Sequence, residues 1–387
     1  MNASISPFSY HIPTAIEFGS GAIARLPSLL AGAGGTKPLV VADPGVAKAG
    51  VLDRVTAILR NAGVAFAPFT DVASDPDAGS VDRGVELAKA QGCDAVVGVG
   101  GGSALDTAKA IGLMLTNAGN IRDYVGLGKV PQAGAPVVAV PTTAGTGSEL
   151  TVWSVLSDKK QKLKISVGSV LNCPRVALLD PELTLSLPAP VTAATGIDAL
   201  THALESYVNK ATQPISEAMS EQSMAMIARS LRLAVAQPDN LAARADMLLA
   251  STIAAMAFNN TRLGVVHAFA MPLGARFNIP HGLVNAIMLP SVMRYNLPGN
   301  LRKYARIAEI FGEPIAHLSM RDAAERSVVA IVQLKADVGI TARLGDFGVT
   351  EKDLDGIVEE ALTSGNVLVN PRQPTPGDMT ALLRSML

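Results

Sequence analysis

The chain of 387 residues is short of several kinds of residue, and each shortage excludes a class of protein. Two cysteines, Cys93 and Cys173, are too few for a disulfide framework, and we predict that Cys93, beside an apolar run, is a buried and unreactive thiol. Charged residues make up only 17% of the chain and hydrophobic residues 49%, which argues against disorder. The 32 Lys and Arg nearly cancel the 33 Asp and Glu, so nucleic acid is not expected as a partner.

Long apolar runs are also scarce. The longest apolar stretches, such as residues 94–100, fall far short of the roughly 18 residues that a membrane-spanning helix needs. The N-terminal segment Met1–Phe8 lacks the basic start and apolar run of a secretory signal. These absences predict a protein without a membrane segment that resides in the cytoplasm.

The first half of the chain alternates apolar, β-branched runs with helical stretches. Because strands this apolar are usually covered on both faces, the pattern predicts an α/β domain with a doubly wound, mainly parallel sheet over residues 1–187. The predicted strands are residues 39–42, 65–69, 94–99, 136–140 and 175–179, and the predicted helices are residues 51–62, 78–92 and 103–116.

The second half has a different composition, since Ala, Met, Leu, Arg and Glu dominate and strand-like runs rich in β-branched residues disappear. Two prolines between Leu187 and Pro190 place the boundary there, because proline continues neither a strand ladder nor a helix interior. We predict an all-helical domain over residues 188–387, with helices at residues 191–208, 213–236, 239–259, 302–311, 320–338, 351–363 and 375–386.

A glycine-rich turn, Gly100-Gly-Gly-Ser103, follows the strand predicted at residues 94–99 and precedes a helix. Glycines allow close approach to a diphosphate, Ser103 can cap the helix, and the helix N-terminus offers free N–H groups. The plainer interpretation is a tight strand-to-helix turn without a ligand. A second polar loop, residues 142–149, follows the next strand, and the ends of parallel strands meet at one sheet edge, which favours a ligand there.

Asp43 ends the first predicted strand at the same edge of the sheet. A carboxylate in that position can accept hydrogen bonds from an adenosine ribose and repel a 2′-phosphate, which favours NAD over NADP. The alternative is a local role, in which Asp43 caps the turn at Pro44 and Gly45.

Three of the five histidines, His202, His267 and His281, fall in distinctive segments of the second half. Asp198 and His202 are four residues apart, so a helix places them on one face, and His267 and His281 lie in mainly apolar surroundings. One carboxylate and three imidazoles suit Fe²⁺ or Zn²⁺ rather than Mg²⁺ or Ca²⁺. The alternative is that Asp198 caps a helix and the histidines donate to core carbonyl groups. His11 and His317 are assigned to the surface.

Together these passages resemble the iron-dependent (group III) alcohol dehydrogenase family over essentially the whole chain. The passages that carry the resemblance are residues 100–103, 142–149, 192–202 and 280–290. The resemblance implies a fold like that of dehydroquinate synthase, with a cleft between a nucleotide-binding domain and a helical domain. It implies metal ligation by Asp198, His202, His267 and His281. It also implies that NAD contacts Asp43, Asp75, Gly101, Gly102, Ser103, Thr142, Thr143, Thr146 and Lys164.

The chain departs from the family pattern at several positions. Met271 stands where members commonly have a second histidine near the nicotinamide, and Asp75 stands where they often have Asn. Arg262 and Arg276 flank His267 where small, polar or aromatic residues are expected. Either these arginines are solvated, or they bind an anionic aldehyde by bidentate pairing.

The resemblance implies reversible hydride transfer between NAD(H) and a small primary alcohol or aldehyde, in a homodimer or larger assembly. Its rivals are a metal-independent NADH reductase resembling maleylacetate reductase and a lyase resembling dehydroquinate synthase. A nucleotide-binding protein without catalysis is the third. The complete set of four metal-ligand candidates argues against the reductase, and no substrate-binding lysines and arginines of the lyase are apparent.

Overall fold

The computed structural model describes residues 7–73, 75–158 and 163–387. Residues 1–6, which carry most of the argument against a secretory signal, lie outside this described part. Within it, every strand lies before residue 180, and the chain from residue 189 onward is helical, as predicted.

A six-stranded parallel sheet organises the first half, with the order β1-β9-β6-β4-β2-β3. Its strands are β1 (Ala15–Phe18), β2 (Pro38–Ala42), β3 (Ala67–Phe69), β4 (Ala95–Gly100), β6 (Val137–Pro141) and β9 (Val176–Leu179). Five of these match predicted runs to within two residues. The sequence did not reveal β1, because this short edge strand is largely exposed and has no buried apolar run.

Helices cover both faces of this sheet, so it is doubly wound as predicted. They are α1 (Leu26–Gly32), α2 (Pro44–Lys48), α3 (Val51–Asn61), α4 (Ala78–Gln91) and α5 (Gly102–Met114). Side chains of α1 and α3 pack on one face with Val40 and Val97 of the sheet. Those of α4 and α5 pack on the other with Val41 and Val96. The connections from β2 and from β4 therefore diverge, which opens a crevice at their carboxyl ends where ligands of such sheets bind.

A second, three-stranded sheet has the order β5-β8-β7 and was not predicted. Its strands are β5 (Gly126–Leu127), β7 (Trp153–Asp158) and β8 (Leu163–Gly168), with β7 and β8 antiparallel. The last two interleave polar and apolar residues, unlike the continuous apolar runs by which the other strands were recognised.

The second half is a helical assembly. It contains α6 (Ala189–Val208), α7 (Pro214–Ala236), α8 (Leu241–Phe258), α9 (Val265–Phe277), α10 (His281–Asn296), α11 (Leu301–Ile310), α12 (Met320–Asp337), α13 (Leu354–Leu362), α14 (Gly365–Val369) and α15 (Pro376–Arg384). Helices α6, α7 and α8 pack against one another, and α10 packs on α6. The apolar segments around His267 and His281 form α9 and α10, which were not predicted as helices.

Helix α8 corrects the expectation that no segment is apolar enough to cross a membrane. It is 18 residues long with a mean hydropathy of 1.4, and is the one such helix among the described residues. However, 61% of it is buried inside the protein, and it packs against α6 and α7. Its apolar surface is therefore explained by the protein core.

Candidate metal and cofactor site

Helix α6 carries the first two residues of a polar cluster. Asp198 and His202 are one turn apart and are almost completely buried, at 1% and 4% exposure. Burying a carboxylate and an imidazole costs free energy unless they have hydrogen-bonding or charged partners. Neighbouring elements must therefore supply polar groups to this face of α6.

Helices α9 and α10 supply those groups from their first turns. His267 is the third residue of α9, and His281 is the first residue of α10, directly after Pro280. The chain reverses between the two helices at Asn278, whose φ of 53° is left-handed, a conformation that asparagine tolerates better than most residues. Each helix start places its histidine beside Asp198 of α6.

The four side chains converge on one point. The Nε2 atoms of His202, His267 and His281 lie 3.9, 3.8 and 3.7 Å from Asp198 Oδ1. One ligand atom from each of the four residues lies within 4.8 Å of all the others. In the described part of the chain, these four residues are the one set of potential metal ligands, among all His, Cys, Asp and Glu side chains, that lie close enough together to hold a metal ion. His281 forms its solvent-facing side, since 45% of that side chain is exposed.

Each buried member of the cluster has a hydrogen-bonding partner outside it. His202 Nδ1 lies 3.1 Å from Gly145 O, and His267 Nδ1 lies 2.6 Å from Glu205 Oε2. Asp198 Oδ1 accepts a 2.6 Å hydrogen bond from Asn285 Nδ2, which also lies 3.0 Å from His267 Nε2. Because the Nδ1 atoms of His202 and His267 face acceptors outside the cluster, Nε2 is the nitrogen of each ring that faces the cluster and can ligate an ion.

Sequence reasoning missed Glu205 and Asn285, although the helical spacing contains the signal. Glu205 lies seven residues after Asp198 on α6, and Asn285 lies four residues after His281 on α10. Both spacings keep a side chain on the same helix face as the cluster.

The charges of the cluster shift its pKa values strongly. Burial would raise the pKa of Asp198, but the three imidazoles outweigh it and hold that pKa well below its usual range. Burial lowers the pKa of His202 to about 3. Burial also opposes a charge on His267, yet the carboxylates of Asp198 and Glu205 raise its pKa to about 9. An anionic Asp198 and a neutral His202 are in the protonation states that a metal site requires, and a metal ion that binds at His267 would displace its Nε2 proton.

The glycine-rich turn lies at the carboxyl end of β4. Gly100 has a φ of 150°, and a Cβ there would lie 2.7 Å from Ala104 Cβ, so the turn requires glycine. Helix α5 is capped by Gly101 without a side-chain hydrogen bond, and Ser103 is the second residue inside the helix. The prediction that Ser103 caps the helix was therefore wrong; the chain reaches helical geometry one residue before it.

The threonine loop lies directly on this turn. Thr142 N donates to Gly100 O at 3.0 Å, and Cβ atoms at Gly101 and Gly102 would approach the side chains of Thr143 and Thr146 to 3.2 and 2.9 Å. The structure thus brings together the predicted cofactor residues of both loops at one edge of the sheet.

Asp43 lies at the same edge of the sheet, where it can both cap a helix and face a bound ribose. It caps α2, because its Oδ1 accepts hydrogen bonds from Gly45 N and Val46 N at 2.8 and 3.1 Å. Its Oδ2 would be 3.1 Å from a Cβ on Gly100. The carboxylate therefore borders the crevice between β2 and β4.

Asp75 and Lys164 form an ion pair beside the three-stranded sheet. Ser157 Oγ also donates to Asp75 Oδ1, at 2.6 Å, so both charged residues are attached to the three-stranded sheet. Strand β8, which carries Lys164, packs against α9, which carries His267. These two residues are therefore tied to the elements that border the metal-ligand cluster.

The loop of residues 142–149 joins the two halves. Its Gly145 carbonyl is the partner of His202, and its Glu149, 2% exposed, accepts a 2.9 Å hydrogen bond from Thr252 of α8. Buried Lys109 of α5, a residue that sequence reasoning missed, fastens the loop by donating to Ser148 O at 3.0 Å. One loop therefore contacts the glycine-rich turn and orients a member of the cluster.

Three of the residues that depart from the family pattern, Arg262, Met271 and Arg276, differ in exposure and in their contacts. Arg276 is exposed and pairs with Glu360 of α13 at 2.8 Å, and exposed Arg262 lies against Gly365. Met271 is half-buried one turn after His267. Arg276 would have to leave Glu360 before it could pair with an anionic substrate.

The cysteines and the remaining histidines fit local roles. Cys93 and Cys173 are free and half-buried, so Cys93 is less buried than predicted. Burial raises the pKa of Cys93, and that of Cys173 to about 11, which keeps both thiols protonated and unreactive. His11 and His317 are exposed, as predicted.

The chain belongs to the iron-containing alcohol dehydrogenase family. The family model described as iron-containing alcohol dehydrogenase matches residues 13–181, and that described as Fe-containing alcohol dehydrogenase family, C-terminal, matches residues 192–387. The chain is thus an oxidoreductase of the alcohol dehydrogenase type, as the resemblance implied.

Named relatives agree with this assignment. The 1,3-propanediol dehydrogenase of Citrobacter freundii is 44% identical over 97% of this chain and 98% of that protein. The crystal structure of a 1,3-propanediol oxidoreductase superposes with a TM-score of 0.96 at 43% identity, covering 98% of this chain and 100% of that one. The sulfoacetaldehyde reductase of Bifidobacterium kashiwanohense, in complex with NAD⁺, has a TM-score of 0.88 at 32% identity, covering 98% of each chain.

Proposed function

We propose that this protein catalyses reversible hydride transfer between NAD(H) and a small primary alcohol or aldehyde at a divalent metal ion. The observation that carries the proposal is the convergence of Asp198, His202, His267 and His281 within 4.8 Å of one another. One carboxylate and three imidazoles form a donor set suited to Fe²⁺ or Zn²⁺, and family membership favours Fe²⁺.

The residues present fit such an ion. The cluster is anionic at Asp198, the Nε2 atoms of its three imidazoles face one point, and its one exposed member, His281, leaves a side open to a substrate. When bound, the ion supplies Lewis acidity toward the oxygen of an alcohol or aldehyde, and the nicotinamide supplies or accepts the hydride. The protein orients the imidazoles through Gly145 O and Glu205 and keeps water from the three buried members of the set.

The cofactor is assigned to the crevice at the carboxyl ends of β2 and β4. The backbone N–H groups at the start of α5 would hold the diphosphate, together with Gly101, Gly102, Ser103, Thr142, Thr143 and Thr146. Asp43 would accept from an adenosine ribose, and Asp75 and Lys164 would contact the second ribose. Met271 carries no exchangeable proton, so it cannot accept the proton of the substrate.

Residues 1–187 are proposed to act as the dinucleotide-binding domain and residues 188–387 as the metal and substrate domain. We also infer a cytoplasmic enzyme that works as a homodimer or larger homo-oligomer. Two of the relatives are named for 1,3-propanediol and sulfoacetaldehyde, which share a short carbon chain with a terminal oxygen function. Short primary alcohols and aldehydes are therefore the proposed substrates, including those with an anionic group.

The direct test combines metal content with turnover. Protein purified without oxygen is expected to contain about one iron or zinc per chain, to oxidise NADH with short aldehydes, and to lose this activity on chelation. Activity should return with added Fe²⁺ or Zn²⁺. Metal-free protein that still oxidises NADH would instead support the metal-independent reductase.

A second test asks whether Arg276 selects anionic substrates. Because Arg276 is already paired with Glu360, we expect Arg276→Ala to change kcat/KM by the same factor for a neutral aldehyde and for its ω-carboxylate analogue. Glu360→Ala, which leaves Arg276 unpaired, is the matched control. A selective loss of ten-fold or more for the carboxylate in Arg276→Ala would restore this arginine as a substrate anchor.

A further inference from the structure

Glu205 is a buried carboxylate that belongs neither to the four proposed metal ligands nor to the two loops proposed to bind the cofactor. It lies on α6 three residues after His202, and only 3% of it is exposed. Its Oε2 accepts from Gly264 N at 2.9 Å and lies 2.6 Å from His267 Nδ1, while its Oε1 accepts from Val266 N at 2.8 Å. Three donors from one short segment therefore converge on this carboxylate.

Through these contacts, Glu205 of α6 accepts hydrogen bonds from the N-terminus of α9. The N-cap of α9 is Gly264, which has no side chain with which to satisfy the first N–H groups of its own helix. Glu205 supplies that acceptor from another helix, and its negative charge is favourable at a helix N-terminus. A Cβ on Gly264 would lie 2.6 Å from Glu205 Oε1, so glycine is what lets the carboxylate approach.

The same carboxylate determines which nitrogen of His267 is available. The Nδ1 atom donates to Glu205, so Nε2 is the nitrogen that faces Asp198 Oδ1, 3.8 Å away, and is available to a metal ion. A carboxylate behind an imidazole also makes that imidazole a more basic ligand. His202 has only the neutral carbonyl of Gly145 in the corresponding position.

We propose that Glu205 is a positioning residue that sets the orientation, tautomer and basicity of His267 and thereby determines how tightly the site binds a divalent metal. This inference rests on the proposed metal-dependent function. Three successive turns of α6 then contribute to the site. Asp198 and His202 act as ligands, and Glu205 positions His267, the ligand on α9.

The test measures metal affinity rather than activity. Full-length protein stripped of metal is titrated with Co²⁺ in competition with a chromogenic chelator, and the visible spectrum of the cobalt form is recorded. Glu205→Gln is expected to weaken binding by about 10–100-fold and to shift the cobalt absorption bands. Glu205→Asp, which retains the charge, should recover part of the affinity. The control is Glu221→Gln, which removes a carboxylate bonded to Tyr207 of α6 rather than to the cluster.

A purely structural role for Glu205 would lower the melting temperature of Glu205→Gln while leaving the cobalt affinity and spectrum of the folded protein at wild-type values. That result would overturn the inference. If Glu205→Gln does not fold, Gly264→Ala displaces the carboxylate instead and should weaken cobalt binding; unchanged affinity in that variant would equally overturn it. Wild-type protein that binds no cobalt would contradict the proposed function itself.

Discussion

Asp198→Asn is expected to lose its bound metal and to turn over at least about 1,000-fold more slowly than wild type. The amide keeps the size of the side chain and can still accept from Asn285, but it removes the negative charge from a cluster that otherwise holds three imidazoles. Lewis-acid activation of an oxygen contributes several kcal/mol, and each 1.36 kcal/mol corresponds to about ten-fold in rate, so loss of the ion has an effect of this size.

Metal analysis and steady-state kinetics on the same preparation check this prediction. Asp337→Asn is the control, because Asp337 is a carboxylate on α12 that pairs with Arg232 at the surface. That variant should retain its metal and its rate. A metal-free Asp198→Asn protein with full activity would refute the ligand assignment.

Asp43→Asn is expected to raise kcat/KM for NADPH by about 10–100-fold and to lower that for NADH by a smaller factor. Asparagine caps helices as well as aspartate does, so the hydrogen bonds to Gly45 N and Val46 N are preserved. The substitution therefore isolates the charge at the edge of the crevice, where a 2′-phosphate would be repelled. A gain of 10–100-fold corresponds to roughly 1.4–2.8 kcal/mol.

Kinetics with both reduced cofactors on wild type and Asp43→Asn test this effect. Asp53→Asn on α3, a carboxylate with no capping role, controls for a general change in surface charge. Equal NADPH efficiency in wild type and Asp43→Asn would mean that Asp43 serves only as the cap of α2.

Local patterns were enough to predict the doubly wound sheet and the helical second half. Buried parallel strands are continuous apolar runs, so β2, β4, β6 and β9 could be recognised without knowledge of their neighbours. The short exposed strand β1 and the strands β7 and β8 could not, because their stability comes from pairing rather than from their own composition. Helices α9 and α10 were hidden by internal prolines, Pro272 and Pro290, and by apolar composition on all sides.

The sequence by itself determined which residues can ligate a metal and which turns can accept a diphosphate, because those properties belong to side-chain chemistry and short-range spacing. Only the tertiary structure decided that α9 and α10 begin at α6, and that Glu205, Asn285 and Gly145 are the partners of the cluster. It also decided that Arg276 is paired with Glu360. These contacts join residues about 57 to 87 positions apart, and such pairings depend on how whole helices pack.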